Sequence, residues 1–216
     1  MHFRTASLIT GLVVASLTAQ AQDSDRPRAV FDSLDISGGF FGFHMRYTEV
    51  MRTDVALLGF SAGVVVNDNL NVGLVGNFSS SVIKNQPYER FLNDSLGLNT
   101  LGGLEMRYGY GGLIVEPVLF HRSPYHIALP IIIGAGGVNY GYPIPGSDSS
   151  DRRSKVAGQA FFALEPGVEM EVTLVRHFRI GFGASYLYTS SLDLPETSPD
   201  ALRTIMYRLS LKLAAP

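Results

Sequence analysis

Residues 161–188 read FFALEPGVEMEVTLVRHFRIGFGASYLY, and this stretch decides the fold. In its first arm, from Phe162 to Leu174, apolar residues occupy the even positions, and small or polar residues occupy the odd positions. A period of two residues predicts a β-strand. The arm is about twice as long as the usual strand of five or six residues, and it matches the roughly 9 to 11 residues with which a tilted strand crosses a bilayer. We therefore predict a barrel strand whose apolar face meets lipid and whose polar face meets a lumen.

The N-terminus has the parts of an export signal. His2 and Arg4 precede an apolar run from Ala6 to Leu17, and Ala19-Gln20-Ala21 has the small-x-small pattern of a cleavage site. The run is shorter than the roughly 20 apolar residues of a spanning helix. We therefore predict a signal peptide over residues 1–21 rather than a membrane anchor. Residues 22–36 are polar and aperiodic, and we predict a periplasmic lead-in there.

Composition narrows the class of protein. The chain has 216 residues and no cysteine, so an exported form has no disulfide framework to hold it together. A formal net charge of −2 gives no basic footprint for nucleic acid. Glycine, charge or alternation breaks every apolar run after the signal, which leaves a closed barrel as the membrane route.

Further alternating segments complete the barrel. We predict strands at 38–48, 54–66, 70–82, within 100–120, at 125–142, in the two arms of the opening hairpin, and in a last strand that ends at 213. Eight is an even number, and it puts both termini on the periplasmic side. The predicted fold class is an all-β, eight-stranded antiparallel up-and-down transmembrane β-barrel over residues 37–213.

The connections alternate in length. Short turns are predicted at 67–69, 121–124 and 175–177, and long polar loops at 84–99, 143–158 and 190–201. Short periplasmic turns and long external loops produce this pattern. The external connection at 49–53 is the one short exception. Pro117, Pro130 and Pro166 fall inside predicted strands, where each removes a ladder donor, so we expect bulges or bends there.

Several motifs in order resemble a family of small exported eight-stranded barrels from Bacteroidota-type bacteria. They are SGGFFGFHMRYTEV, LLGFSAGVVVNDNLNVGLVG, YGGLIVEPVLF with ALPIIIGAGGVNYG, and EPGVEMEVTLVRHFRIGFGASYLYTSSLDLP. The resemblance implies an outer-membrane barrel without an assigned activity. One departure is the end of the chain, because such barrels commonly finish on an aromatic residue, whereas Leu213 is followed by Ala214-Ala215-Pro216. We expect a monomer in the cell outer membrane whose partners are membrane lipid, lipopolysaccharide and the barrel-assembly machinery, with no nucleic acid.

Charged residues on the predicted lumen faces are the candidate functional residues. An eight-stranded barrel leaves an interior just wide enough for side chains to fill. Charges taken out of water persist only when they are paired, so a structural salt-bridge network is favoured over a proton path, an ion path or a hydrolytic carboxylate pair. The predicted network comprises His44, Arg46, Glu116, Glu165, Glu169, Glu171, Arg208 and Lys212.

No catalytic, cofactor-binding or metal-binding residue is predicted. There is no HExxH motif, and GSDSSD at 146–151 lacks the spacing and final glutamate of a calcium loop. RRSK at 152–155 could touch lipopolysaccharide phosphates, although four residues beside two aspartates are ordinary surface charge.

The predicted role is structural, adhesive or ligand-presenting through external loops. The first alternative is an outer-membrane lipid-modifying enzyme, which needs a histidine within hydrogen-bond reach of a serine hydroxyl. His121 and His177 fall in predicted turns, and neither His44 nor His126 has a serine two residues on. The second alternative is a soluble periplasmic barrel with an interior ligand pocket, and partition into membranes discriminates it.

Overall fold

A computed structural model describes residues 35–96, 103–121, 123–143, 153–175 and 177–215. Strands predominate in these ranges, and one helix follows the fourth of them. The elements are β1 (Ile36–Val50), β2 (Thr53–Val66), β3 (Leu70–Ser79), β4 (Ile83–Lys84), α1 (Gln86–Leu96), β5 (Glu105–Leu119), β6 (Tyr125–Ala128), β7 (Ile131–Pro143), β8 (Arg153–Val175), β9 (Phe178–Thr189) and β10 (Thr204–Ala215). The predicted signal peptide and most of the lead-in lie outside the described residues, and that prediction stays a prediction.

The strands close into an antiparallel ring because β1 pairs with both β2 and β10. Around the ring β2 pairs with β3, β3 with β5, β5 with β7, β7 with β8, β8 with β9, and β9 with β10. The short β6 continues β7, since both pair with β5 and β8. The ring therefore has eight barrel strands, and the predicted fold class is confirmed.

Three prolines line up across adjacent strands. Pro166 of β8 pairs with Ile131, and Pro117 of β5 pairs with Leu70. Pro130 separates β6 from β7. The neighbouring amides stay satisfied, because Leu129 N donates to Pro117 O at 2.9 Å and Gly167 N donates to Pro130 O at 2.8 Å.

The expectation of bulges at these prolines is wrong. Each proline removes one donor only, so the ladder keeps its register across all three, and the sole consequence is the strand break at Pro130. The register shifts of the described strands fall elsewhere, at 36/38, 140/141 and 173/175.

Side chains alternate between the exterior and the lumen as predicted. Val168 on β8 is 51% exposed, whereas Glu169 beside it is 1% exposed. The exterior carries a broad apolar band, with Phe60, Leu74, Leu113, Ile133, Phe182 and Leu209 among its exposed members. A closed barrel with this exterior bears out the predicted location, the cell outer membrane. No helix in the described ranges is long and apolar enough to span a bilayer.

The external connections differ most from the prediction. The polar stretch predicted as a loop at 84–99 contains α1, whose N-terminus is capped by Asn85, with Tyr88 N donating to Asn85 Oδ1 at 3.2 Å. Strand β8 begins at Arg153 rather than near residue 161. The exception at 49–53 is a two-residue turn in which Met51 and Arg52 both have positive φ, a geometry that suits tight hairpins.

Candidate functional site: the charged lumen and its external cap

All eight residues of the predicted charge network are buried. They come from β1, β5, β8 and β10, where an inward position recurs at every second residue. Their partners include inward polar residues that charge alone did not single out, namely Ser61, Asn71, Asn77, Tyr110, Arg179, Ser185 and Ser210. The lumen is thus a polar network rather than a set of isolated ion pairs.

Glu165 receives donors from three directions. Arg46 Nε lies 3.2 Å from Glu165 Oε1, and Ser185 Oγ donates to the same oxygen at 2.7 Å. Tyr110 OH donates to Oε2 at 2.6 Å. Because β1 and β8 are not neighbours in the ring, the Arg46–Glu165 pair crosses the lumen. Arg46 also donates to Asn77 Oδ1, which fixes the guanidinium on the other side.

Lys212 gathers three carboxylates. Its Nζ donates to Glu116 Oε2 at 2.7 Å and to Glu171 Oε1, and it lies 3.8 Å from Glu169 Oε2. Asn71 Nδ2 holds the other oxygen of Glu116 at 2.7 Å. The three carboxylates are close enough to hold a metal ion. The ammonium already supplies the positive charge at that point, so the cluster has a cation of its own.

Arg208 links the carboxylates to His44. Its Nε lies 3.1 Å from Glu169 Oε2, and its Nη2 lies 3.2 Å from His44 Nδ1. A guanidinium can only donate, so Nδ1 is the acceptor, and the proton of a neutral His44 is assigned to Nε2. That nitrogen lies 2.8 Å from Ser61 Oγ and therefore donates to it.

The His44–Ser61 pair has the wrong chemistry for hydrolysis. A catalytic histidine takes the proton of the hydroxyl and is oriented by an acid on its other nitrogen. Here Nε2 carries a proton, and a guanidinium occupies the place of the acid. Both residues are also buried. Sequence spacing missed this pair because the residues lie 17 positions apart on neighbouring strands.

Arg179 completes the charge balance. The network holds four buried glutamates but only three buried cations, Arg46, Arg208 and Lys212. Arg179 Nη1 lies 3.7 Å from Glu171 Oε2, and its side chain is 22% exposed toward the periplasmic end of β9. On the same face of β9, Gly181 leaves room for Glu169, whose carboxylate a Cβ would overlap.

Apolar residues fill the external half of the lumen. The cluster joins inward side chains of the barrel to side chains of α1 and of the 190–203 segment, which together we call the cap. Its buried members from the barrel include Val55, Leu57, Met106, Val138, Phe161, Leu187 and Met206, and those from the cap are Tyr88, Leu92, Leu192, Leu194 and Leu202. The predicted long polar loops are therefore folded against the mouth of the barrel.

Asn85 ties the two parts of the cap to the barrel. Its Nδ2 donates to Tyr140 OH on β7 at 2.9 Å and to Glu196 O at 3.1 Å. Tyr140 OH also pairs with Thr197 Oγ1 at 2.8 Å. The Tyr88 ring meets the Tyr140 ring edge-on at 5.1 Å, and burial raises the pKa of the Tyr88 hydroxyl. The cap is thus held by hydrogen bonds as well as by apolar packing.

Solved structures with a similar fold are outer-membrane proteins. Neisserial surface protein A matches with a TM-score of 0.52 at 11% identity, over 84% of this chain and 98% of its own. A major outer membrane protein from Thermus thermophilus matches with a TM-score of 0.54 at 13% identity, over 82% and 99% of the two chains. Ail, the attachment invasion locus protein of Yersinia pestis, has a TM-score of 0.41 at 13% identity, over 82% and 97%.

These likenesses concern the fold. No protein-family model matches the chain, and no curated protein is similar to it in sequence. The chain is an outer-membrane type of β-barrel, and its predicted origin in Bacteroidota-type bacteria stays a prediction.

Proposed function

We propose that this protein is a non-conducting outer-membrane barrel that presents a folded cap at the cell surface, in a structural, adhesive or ligand-presenting role. The observation that carries the proposal is the two-part filling of the lumen. A charged network occupies one part, and an apolar cluster continuous with the cap occupies the other. An eight-stranded barrel has no space left once side chains fill it.

The cap has a surface suited to contact with a partner. Phe91 on α1 is 42% exposed, although the neighbouring Tyr88 and Leu92 are buried. Arg90 and Asp94 are exposed beside it. An exposed aromatic ring among charges on a fixed helix is typical of protein interfaces, where aromatic residues and arginine are enriched.

The alternatives lack such support. A soluble periplasmic barrel would not carry the apolar exterior band, and the filled lumen has no interior ligand pocket among the described residues. A lipid-modifying enzyme would need an accessible histidine that can take a proton from a hydroxyl, and His44 meets neither condition. The proposed function accordingly includes no catalytic step and no cofactor.

The rest of the proposal concerns partners. The chain would be exported by its signal peptide, inserted by the barrel-assembly machinery and kept as a monomer in contact with lipid and lipopolysaccharide. It would not bind nucleic acid, because the composition has no basic excess.

Planar-bilayer recording tests the closed lumen. The folded protein should give no steady ion conductance. A double variant, Arg46→Ala with Glu165→Ala, removes a pair that crosses the lumen and should raise conductance only when the cap anchors Tyr88 and Leu92 are also replaced by serine. Steady conductance of the unaltered protein would refute the plug.

Labelling of intact cells tests the orientation. The natural chain has no cysteine, so a single introduced thiol reports one position. Phe91→Cys should react with a membrane-impermeant maleimide on intact cells. Asn69→Cys, in the β2–β3 turn, should react only after lysis. The reverse pattern would place the cap in the periplasm.

A further inference from the structure

We infer that a depression on the lipid-facing side of β5, β7 and β8 binds a phosphate-bearing lipid of the external leaflet. The inference rests on the proposed orientation, with the cap outside the cell. It concerns the exterior of the barrel and is independent of the closed lumen. Its three parts are a floor of small residues, a basic rim and a bulge that aims the rim.

The floor is two rows deep. In one row Gly76, Gly111 and Ala135 pair across β3, β5 and β7, and in the next row toward the cap Gly109, Gly137 and Ala160 pair across β5, β7 and β8. All of these residues lie on the outward face, where the rows nearer the membrane centre carry Leu113 and Ile133 instead. Phe78 and Phe162, each 47% exposed, flank the floor. The exterior therefore recedes locally by the depth of a side chain.

The rim above the floor is basic. Arg107 pairs with Asn139, and Lys155 pairs with Gly141. They line a cavity of about 150 Å³ together with Glu105 and Tyr140. Neither Arg107 nor Lys155 forms a hydrogen bond or an ion pair with a described residue, whereas Glu105 has an interaction partner. Two exposed cations are thus directed at an open cavity that contains one carboxylate.

A register shift puts Lys155 on this rim. Tyr140 pairs with Ala157, but the next residue, Gly141, pairs with Lys155, so Val156 is the extra residue of a bulge. Without the bulge the alternation would turn position 155 toward the lumen. A bulge commonly re-aims a side chain at a functional position. Here it brings the Lys155 ammonium to the same face as the Arg107 guanidinium.

The combined surface matches an amphiphile. An acyl chain fits a shallow apolar floor between two aromatic rings, and a phosphate fits a pair of cations directly above it. Basic groups between membrane-spanning segments bind anionic lipid head groups in this way. A second barrel would also fit the small residues, but it would leave the two cations without counter-charges. The bisphosphorylated glycolipid of lipopolysaccharide, lipid A, has both required parts.

Native mass spectrometry of the folded full chain in neutral detergent tests the basic rim. Added lipid A should bind, and lipid A stripped of its phosphates should bind weakly. The variant Arg107→Gln with Lys155→Gln should lose about 30-fold in affinity, because each cation near a membrane surface contributes about one kcal/mol. Arg90→Gln on α1 removes an exposed charge elsewhere and should bind as the natural chain does. Equal binding by the double variant would overturn the inference.

A second variant tests the floor. A Cβ built at Gly137 has no atom nearer than Gln159 O at 3.9 Å, so Gly137→Leu should fold and fill the depression. It should weaken lipid A binding, whereas Ala62→Leu on the outward face of β2 should not. Competition by inorganic phosphate alone at equal concentration would mean a phosphate site without a lipid, and dimers in place of lipid adducts would mean a protein interface. Either result refutes the inference. Cell labelling that places the cap in the periplasm refutes the orientation separately.

Discussion

The two halves of the lumen are filled in opposite ways. In the external half the barrel and the cap share an apolar cluster, whereas in the other half carboxylates and cations meet across the ring. Apolar packing tolerates substitutions that keep volume and hydrophobicity. A buried charge network has no such tolerance, because removal of one member leaves its partner charged and desolvated. The same narrow space is therefore predicted to be robust at one end and brittle at the other.

The largest effect is expected from Lys212→Met. The substitution removes the ammonium among Glu116, Glu169 and Glu171, and loss of one partner from a buried pair costs about 3–5 kcal/mol. Urea titration in phospholipid vesicles, followed by electrophoretic mobility, measures it. Lys84→Met removes an exposed ammonium in β4 and should change stability by less than about 0.5 kcal/mol. Equal stability of the two variants would show that the network is wet rather than packed.

The next effect compares a charge inside the barrel with a charge outside it. Val168→Arg places a guanidinium on the lipid face one residue from Glu169, and such a substitution costs roughly 2–4 kcal/mol at the bilayer midplane. Val168→Met is the matched control and should fold normally. Gly167→Ser is unsuitable for comparison, because a Cβ at Gly167 would lie 2.9 Å from Ser185 Cβ. Normal membrane folding of Val168→Arg would mean that the faces are assigned wrongly.

Leu92→Ala probes the apolar half. Leu92 is 1% exposed on α1, and truncation of a buried leucine costs about 2–3 kcal/mol where the neighbourhood can partly collapse. Hydrogen exchange should show the loss in α1 and in 190–203, with little change in β9 and β10. Phe91→Ala, on the exposed side of the same turn, should leave exchange unchanged. Global destabilisation by Leu92→Ala would show that the cap and the barrel unfold as one unit.

The smallest expected effect is a coupling energy. Arg46 and Glu165 form the simplest pair of the network, because Arg208 contacts Glu169 and also lies 3.9 Å from Glu116. A cycle of Arg46→Met, Glu165→Gln and both together should give a coupling of about 1–3 kcal/mol. The double variant should be more stable than the sum of the single losses implies. Additive losses would mean that the two residues do not interact.

The sequence determined the barrel because its strands obey a local rule. The period of two residues, the strand lengths and the tight turn at Asn67-Asp68 each depend on neighbours in the chain. The inward positions of Glu165, Glu169 and Glu171 follow from the same alternation. What these local patterns indicate holds in the structure, since a one-residue slip would turn every apolar side chain of a strand to the wrong face.

The tertiary structure decided how these elements meet. Pairing of Arg46 with Glu165 spans 119 residues and depends on the stagger of strands around the ring, which no local pattern encodes. The cap was missed because α1 shows only Tyr88 and Leu92 as apolar anchors within a polar stretch, and their partners lie on distant strands. The bulge that turns Lys155 outward is likewise a property of the pairing between β7 and β8. Local sequence set which face each residue occupies, and closure of the barrel set which residues share the space within it.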